Sequence, residues 1–246
     1  MERQMISVCI IVKDGAATLE ETLKSVQSFP EVLLLDNGSS DETLAIAGKF
    51  ANVRIDSAPF LGFGRLRNLA ARKARYDWIL ALDADEVLTG PVKEELKRGF
   101  VYSFPFHNFY KGQRIYGCGW NPERHVRLYH RGDTSFSEAQ VHEGVKKEGL
   151  QEIPLPLVIG HTPYRSVADF LRKMQHYSHL FAEEYRGKRG ASFGTALLHG
   201  AAAFFKSYFL KRGIFDGQAG FEISFYNGAT AFYKYLKLAE ANQRCS

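Results

Sequence analysis

Along the N-terminal part of the chain the apolar positions switch repeatedly between two spacings. "ISVCIIV" at 6–12 is β-branched and continuous, the pattern of a strand buried on both faces. Thr18-x-x-Glu21 then predicts a capping box, and Leu19, Leu23 and Val26 recur on one helical face before Pro30. "EVLLLDNG" at 31–38 is a second buried strand, and Ser39-x-x-Glu42 predicts the cap of a helix carrying Leu44, Ala47 and Ala51 along one side. "NVRIDS" is a short third strand, "GRLRNLAARKARY" a basic helix with Leu66, Leu69 and Ala70 inward, and "DWILALDADE" a fourth strand. Strand and helix in alternation predict the α/β class with a mostly parallel sheet. Ligands in such sheets bind outside the carboxyl ends of the strands.

From about residue 100 the pattern changes. "YSFPFHNFYKGQRIYGCGW" is aromatic and glycine-rich and carries no helix signal, while "RHVRLYHRG" at 124–132 alternates like an edge or antiparallel strand. "SFSEAQVHEGV" at 135–145 brings His142 and Glu143, and "LQEIPLPLVIGH" at 150–161 is a further strand broken by Pro154 and Pro156 and closed by His161. After Ser166 the chain turns helical. There Phe204, Phe205, Tyr208 and Phe209 lie close to Lys206, Lys211 and Arg212, which suits either a membrane interface or packing against protein.

Composition narrows the class. Of 246 residues, 45% are hydrophobic and 24% charged, as in ordinary soluble domains, and the net charge of 32 − 27 = +5 favours anionic partners without implying nucleic acid. Cys9, Cys118 and Cys245 are scattered, which argues against a disulfide framework or zinc cluster and for a reducing compartment. The opening "MERQMISVCIIVKDG" carries no signal-peptide pattern, and no apolar run approaches the roughly 20 residues of a transmembrane helix. A cytoplasmic protein is expected.

The stretch "LALDADEVL" at 80–88 sets three acids where a core strand ends. Asp36 falls at the end of the second strand and Asp83 and Asp85 at the end of the fourth, so all three share one sheet edge. Each acid could cap a following helix, as Asp41 could. Two acids two residues apart, however, project to the same side of an extended segment. Like charges so close raise each other's pKa unless a cation lies between them. A hard divalent cation that also carries a ligand's phosphates resolves the conflict.

The ordered series "VLLLDNGSSDET", "GRLRNLAARKA" and "WILALDADE", with "QVHEGV", "VIGHTPYRS" and "KRGIFDGQAGFE" later on, resembles glycosyltransferase family 2 with the GT-A fold. It is most similar there to the small lipopolysaccharide-core β-glucosyltransferases. The resemblance implies a catalytic domain over 1–165, with a donor half to about 98 and an acceptor half beyond it, and a helical region over 166–246 facing a membrane or a second subunit. It implies a UDP-sugar donor, Mg²⁺ or Mn²⁺, and a glycan or lipid-linked acceptor at the cytoplasmic face of an inner membrane. Asp36 would contact the base, Arg67 and Asn68 the uridine and diphosphate, Asp83 the ribose or the metal's surroundings, and Asp85 the cation. His161 is either a further metal ligand or a hydrogen-bonded histidine. Inverting transfer needs a carboxylate base. Glu143 is the candidate, with Glu138, Asp133 and Glu86 as rivals and an ion pair with Arg127 as the alternative role for Glu143. Glu86 could equally open a helix.

Two features depart from that family's pattern: "VKDGAATL" replaces the usual end of the first strand, and Asn37 stands for the second acid of "DDGS". The Q/R-x-x-R-W signature of processive synthases is absent, so one sugar per event is expected. His176 and His179 lack the H-E-x-x-H of zinc peptidases. "GFGRLRN" does not follow the first strand as a dinucleotide-binding loop would. The rivals to transfer are a nucleotidyltransferase, against which stands the lack of a basic glycine-rich triphosphate loop, and a non-catalytic peripheral membrane module.

Overall fold

A computed structural model describes residues 5–138 and 143–243, so His142 and Cys245 lie outside the described residues. The chain divides into two compact units: Met1–Phe106 with Glu123–His161, and His107–Pro122 with Thr162–Ser246. Residues 107–122, which the sequence groups with 1–165, belong to the second unit.

The alternating pattern forms β1 (Ile6–Val12), α1 (Leu19–Ser25), β2 (Glu31–Asp36), α2 (Thr43–Ala47), β3 (Val53–Ser57), α3 (Phe63–Lys73) and β4 (Trp78–Asp83). Then come β5 (Glu86–Leu88), β6 (Phe100–Tyr110), β7 (Gln113–Arg114), β8 (Glu123–His130), β9 (Gln151–Pro154) and β10 (Ile159–Tyr164). The sheet runs β3-β2-β1-β4-β8-β6-β10-β5, with β7 and β9 also paired to β6. β1 to β4 are parallel to one another, and β8 then joins β4 antiparallel. β1 therefore has β2 on one side and β4 on the other, a point where strand order reverses and a crevice opens at the strand ends.

Both faces of the parallel half are covered, as the continuous apolar strands require. Val8, Ile10 and Val12 face a core with Leu19 and Leu23 of α1, while Cys9 and Ile11 face another with Leu66 and Ala70 of α3. Fully burying a leucine such as Leu66 contributes roughly 1.5–3 kcal/mol. Amphipathic packing, more than capping, holds these helices. Thr18 stands at the N-cap of α1 but makes no side-chain cap hydrogen bond. The second expected box also does not form: Ser39 Oγ accepts the Asp14 N–H at 2.9 Å, and the short α2 begins only at Thr43.

Of the two readings of 124–132 the antiparallel strand is the one found: β8 lies inside the sheet, between β4 and β6. The segment 150–161 breaks at its prolines as expected and yields two strands, but β10 does not close at His161 and runs on to Tyr164. β4 stops at Asp83, so Asp85 sits in the following turn and the same-side argument for the two acids does not hold. Glu86 starts no helix. It opens β5, paired with His161 of β10.

In the second unit α4 (Val167–Tyr185), α5 (Phe193–Phe205) and α6 (Gly217–Gln243) pack together. Ser166 caps α4 by accepting the Asp169 N–H at 3.1 Å.

Candidate active site

The site is built on α3. A Cβ on Gly64 would stand 2.0 Å from the Ser137 carbonyl oxygen, so only glycine lets the helix lie this close to the segment after β8. One turn on, buried Asn68 donates to the Phe136 carbonyl at 3.0 Å and accepts the Phe136 N–H at 2.9 Å. Its amide thus satisfies both backbone groups of Phe136 as a neighbouring strand would. The Phe136 ring in turn lies beneath the guanidinium of Arg67, 5.1 Å from its centroid.

Arg67 is only 6% exposed. Its Nη2 donates to Asp83 Oδ1 at 2.7 Å, and its Nε lies 3.8 Å from Glu143 Oε1. Nε and Nη1 have no hydrogen-bond partner among the described residues. A second arginine approaches from β8: Arg127 Nη2 contacts Asp83 Oδ2 at 3.3 Å and donates to Glu86 Oε1. The other Glu86 oxygen accepts the Asp83 N–H at 3.0 Å. Arg127 also stacks over Phe106, 5.3 Å from the ring centroid.

These pairings drive the two carboxyls apart. Burial opposes ionisation of Asp83, but Arg67 and then Arg127 hold it well below the usual carboxylate range. Burial pushes Glu86, 1% exposed, up to about 7, against the pull of Arg127 and with the Asp83 charge adding to the rise. His161 Nε2 stands 3.7 Å from Asp85 Oδ2, and both side chains are about a quarter exposed. Burial disfavours the charged imidazole, yet Asp85, with Glu86 and Asp83 behind it, raises its pKa above the ordinary value.

Arg67, Asp83, Arg127, Phe136, Glu143 and Lys147 line a cavity of about 240 Å³. The expected residues Arg67, Asp83 and Glu143 therefore meet in one place, with Asp85 and His161 paired at the neighbouring turn. Asp36 is not with them. Its register partner is Val12 while that of Asp83 is Ile11, so the two acids end their strands on opposite faces. Asp36 accepts the N–H groups of Gly38 at 3.0 Å and Ser39 at 3.2 Å, closing the loop in which the buried Asn37 Oδ1 has no hydrogen-bond partner among the described residues. Asn68 is committed to Phe136. Asp133 is tied to Arg98 and Glu138 to Arg65. Glu143 does lie near an arginine, but it is Arg67 and not Arg127.

The residue that sequence reasoning undervalued is Arg127. Tyr102 pairs with Leu128 and Ser103 with Val126, so Arg127 is the extra residue of a β-bulge. Bulges re-aim side chains beside active sites. Neither glycine nor proline marks this one, and a plain alternating strand would not reveal it. Among the described residues no three metal-binding side chains cluster. Asp85 and His161 are the pair available to an ion.

A family model for glycosyl transferase family 2 matches residues 7–131. Similar sequences include the lipopolysaccharide core biosynthesis glycosyltransferase LpsC of Rhizobium meliloti, 26% identical over 254 residues covering 97% of this chain and 92% of that protein. A glycosyltransferase of Rickettsia typhi is 26% identical over 262 residues, covering 97% and 87%. Among solved structures, S. aureus TarS 1–349 in complex with UDP-GlcNAc aligns with a TM-score of 0.48 at 15% identity, covering 99% of this chain and 93% of that one.

Proposed function

The chain belongs to glycosyl transferase family 2 and is a glycosyltransferase, and from that premise we propose that it moves a hexose, glucose first among the candidates, from a UDP-sugar to a lipopolysaccharide-core or other lipid-linked glycan. The transfer inverts the anomeric centre and takes place at the cytoplasmic face of a bacterial inner membrane. The relationship to LpsC supports the acceptor class. The observation that carries the chemistry is Arg67, a buried guanidinium whose Nε and Nη1 have no hydrogen-bond partner among the described residues, beside a cavity that also holds a carboxylate. Leaving such donors unpaired is costly, and phosphate oxygens would satisfy them.

In this reading the acceptor hydroxyl attacks the anomeric carbon from the face opposite UDP. The new glycosidic C–O bond forms as the bond to the β-phosphate oxygen breaks, and the electron pair leaves with the diphosphate. Glu143 takes the hydroxyl proton. Arg67 bonds the leaving diphosphate, with Asp83 and Phe136 fixing its guanidinium, and Arg127 adds positive charge behind them. Asp36 acts through the loop that it closes, whose free Asn37 Oδ1 suits an N–H of the base. The Asp85 oxygen and His161 nitrogen form a donor pair suited to Mg²⁺ or Mn²⁺. Such an ion would supply further charge to the diphosphate.

Thermal shifts with UDP-, GDP- and CDP-sugars, each with and without Mn²⁺, test the donor. Metal-dependent stabilisation by a UDP-hexose is expected, followed by UDP release when a core-oligosaccharide acceptor is added. Stabilisation by nucleoside triphosphates alone, with pyrophosphate release, would replace this reading with a nucleotidyltransferase.

A further inference from the structure

The helix α5 is turned inside out for a soluble protein. A helix in a globular unit normally buries its large apolar side chains and exposes its small and polar ones. Here the inward face is small: Ala196 and Gly200 are buried, and a Cβ on Gly200 would stand 3.2 Å from the Gly228 carbonyl of α6. The outward face carries Phe193, Leu197, Leu198, Phe205, Phe209 and Leu210. Leu198 is 71% exposed and Leu210 80%. The stripe persists because a π-helical turn follows α5 over Lys206–Leu210. Steps of four residues overrun an α-helical turn of about 3.6, and the wider turn takes up the excess. Ile214 and Phe215, the latter 82% exposed, extend the apolar surface past the turn.

Charge points to what covers this face. From Arg186 to Phe215 the chain contains no Asp or Glu, and Arg186, Lys188, Arg189, Lys206, Lys211 and Arg212 are all basic and exposed. Protein interfaces are depleted of lysine at their centres. A two-fold contact with a second copy would set these bases against the same bases with no acid in the segment to pair them. A bilayer with anionic headgroups offers hydrocarbon for the phenylalanine and leucine side chains and negative charge for the flanking bases. Among the described residues no helix is long and apolar enough to cross a membrane. The contact is therefore with the surface.

We propose that residues 193–215 form an in-plane docking surface for an anionic lipid bilayer, with the aromatic and leucine face in the acyl boundary and the bases at headgroup level. This deepens the placement of the enzyme at a membrane, but it concerns binding and not transfer, so the two readings fail separately.

The test is flotation of the full-length protein with vesicles of phosphatidylcholine alone and vesicles in which about a quarter of the lipid is phosphatidylglycerol. The wild type is expected to float with the anionic vesicles and to be released by salt. Leu210→Ser with Phe215→Ser should weaken binding at least tenfold, as removal of that much buried apolar surface requires. Lys188→Glu with Lys206→Glu should lower it by about fivefold or more per site and abolish the preference for phosphatidylglycerol. All four positions are exposed, so thermal unfolding should match the wild type and show that lost binding is not lost folding. Wild-type protein that stays with neither vesicle would overturn the proposal. So would a dimer in sedimentation that Leu210→Ser with Phe215→Ser converts to monomer, which would assign the face to a second copy.

Discussion

Asn68→Ala separates a residue that holds the site from one that touches the ligand. The substitution strips both backbone groups of Phe136 of their partners, at a position where Asn68 is 8% exposed. An orphaned buried polar group costs about 1–3 kcal/mol. The two together should cost about 2–5 kcal/mol, the lower end applying if water enters the space vacated by the amide. Asn68→Asp is the sharper variant. Its carboxylate still accepts the Phe136 N–H but turns a second oxygen, with no proton to offer, toward the Phe136 carbonyl. It should therefore be no better than alanine despite its nearly identical shape. Urea unfolding measures both: the midpoint should fall while the slope stays constant, because the surface exposed on unfolding is unchanged. Against total stabilities of about 5–15 kcal/mol the loss is large but leaves a folded protein to measure. Turnover should fall as well, since Phe136 underlies Arg67. If both variants unfold at the wild-type midpoint while UDP-sugar binding drops tenfold or more, the amide faces the ligand and the clamp is wrong.

Glu143→Gln should reduce transfer by about 10²–10⁴-fold while leaving UDP-sugar affinity within a factor of a few, and unchanged turnover removes Glu143 as the base. Arg67→Lys keeps the charge but loses the fork that spans Asp83 and the cavity. Donor affinity should fall at least tenfold by calorimetry, and an unaltered affinity would take Arg67 off the diphosphate. In the second unit, hydrogen bonds from Lys111, Tyr110 and Gln218 lower the Glu222 carboxyl from 4.5 to about 2. A depressed folded pKa contributes stability that is present above the unfolded value and lost as pH falls toward the folded one. The stability difference between wild type and Glu222→Gln should be constant above about pH 5 and shrink as pH drops from 4.5 toward 2; a difference independent of pH would show that Glu222 is not ionised in those bonds.

The parallel half of the fold was legible because its signal is local. Continuous apolar strands and one-sided helices force β1, β2 and β4 to lie side by side, and Asp83 at the end of β4 follows from that alone. What escaped depends on contacts distant in sequence. The hydroxyls of Thr18 and Ser39 suit helix caps, but loop packing gives Ser39 a partner across the β1–β2 crevice. The 11-residue β6 is obscured by its own aromatic content and the glycine-rich stretch after it, and the alternating polar residues of β8 suit an edge as well as an antiparallel strand. Among those residues Arg127 is spent on ion pairs inside the site, while Arg124 donates to the Ser103 carbonyl. Arg127 is the clearest case, since only the skipped register at Tyr102 and Ser103 turns it toward Asp83.

The site consequently lies along the line where parallel pairing gives way to antiparallel pairing. The parallel half supplies Asp83 from β4 and Arg67 from α3, both fixed by the order of elements along the chain. The antiparallel half supplies Arg127 from β8 and, through the bridge between Phe136 and Val145, the arms that carry Phe136 and Glu143. Asp83 is the joint, since one carboxylate oxygen takes Arg67 from the first half and the other takes Arg127 from the second. A donor bound by the parallel half alone would meet one arginine and no candidate base. Only the antiparallel half, docked against β4, brings the second arginine and the candidate base to Arg67 and Asp83.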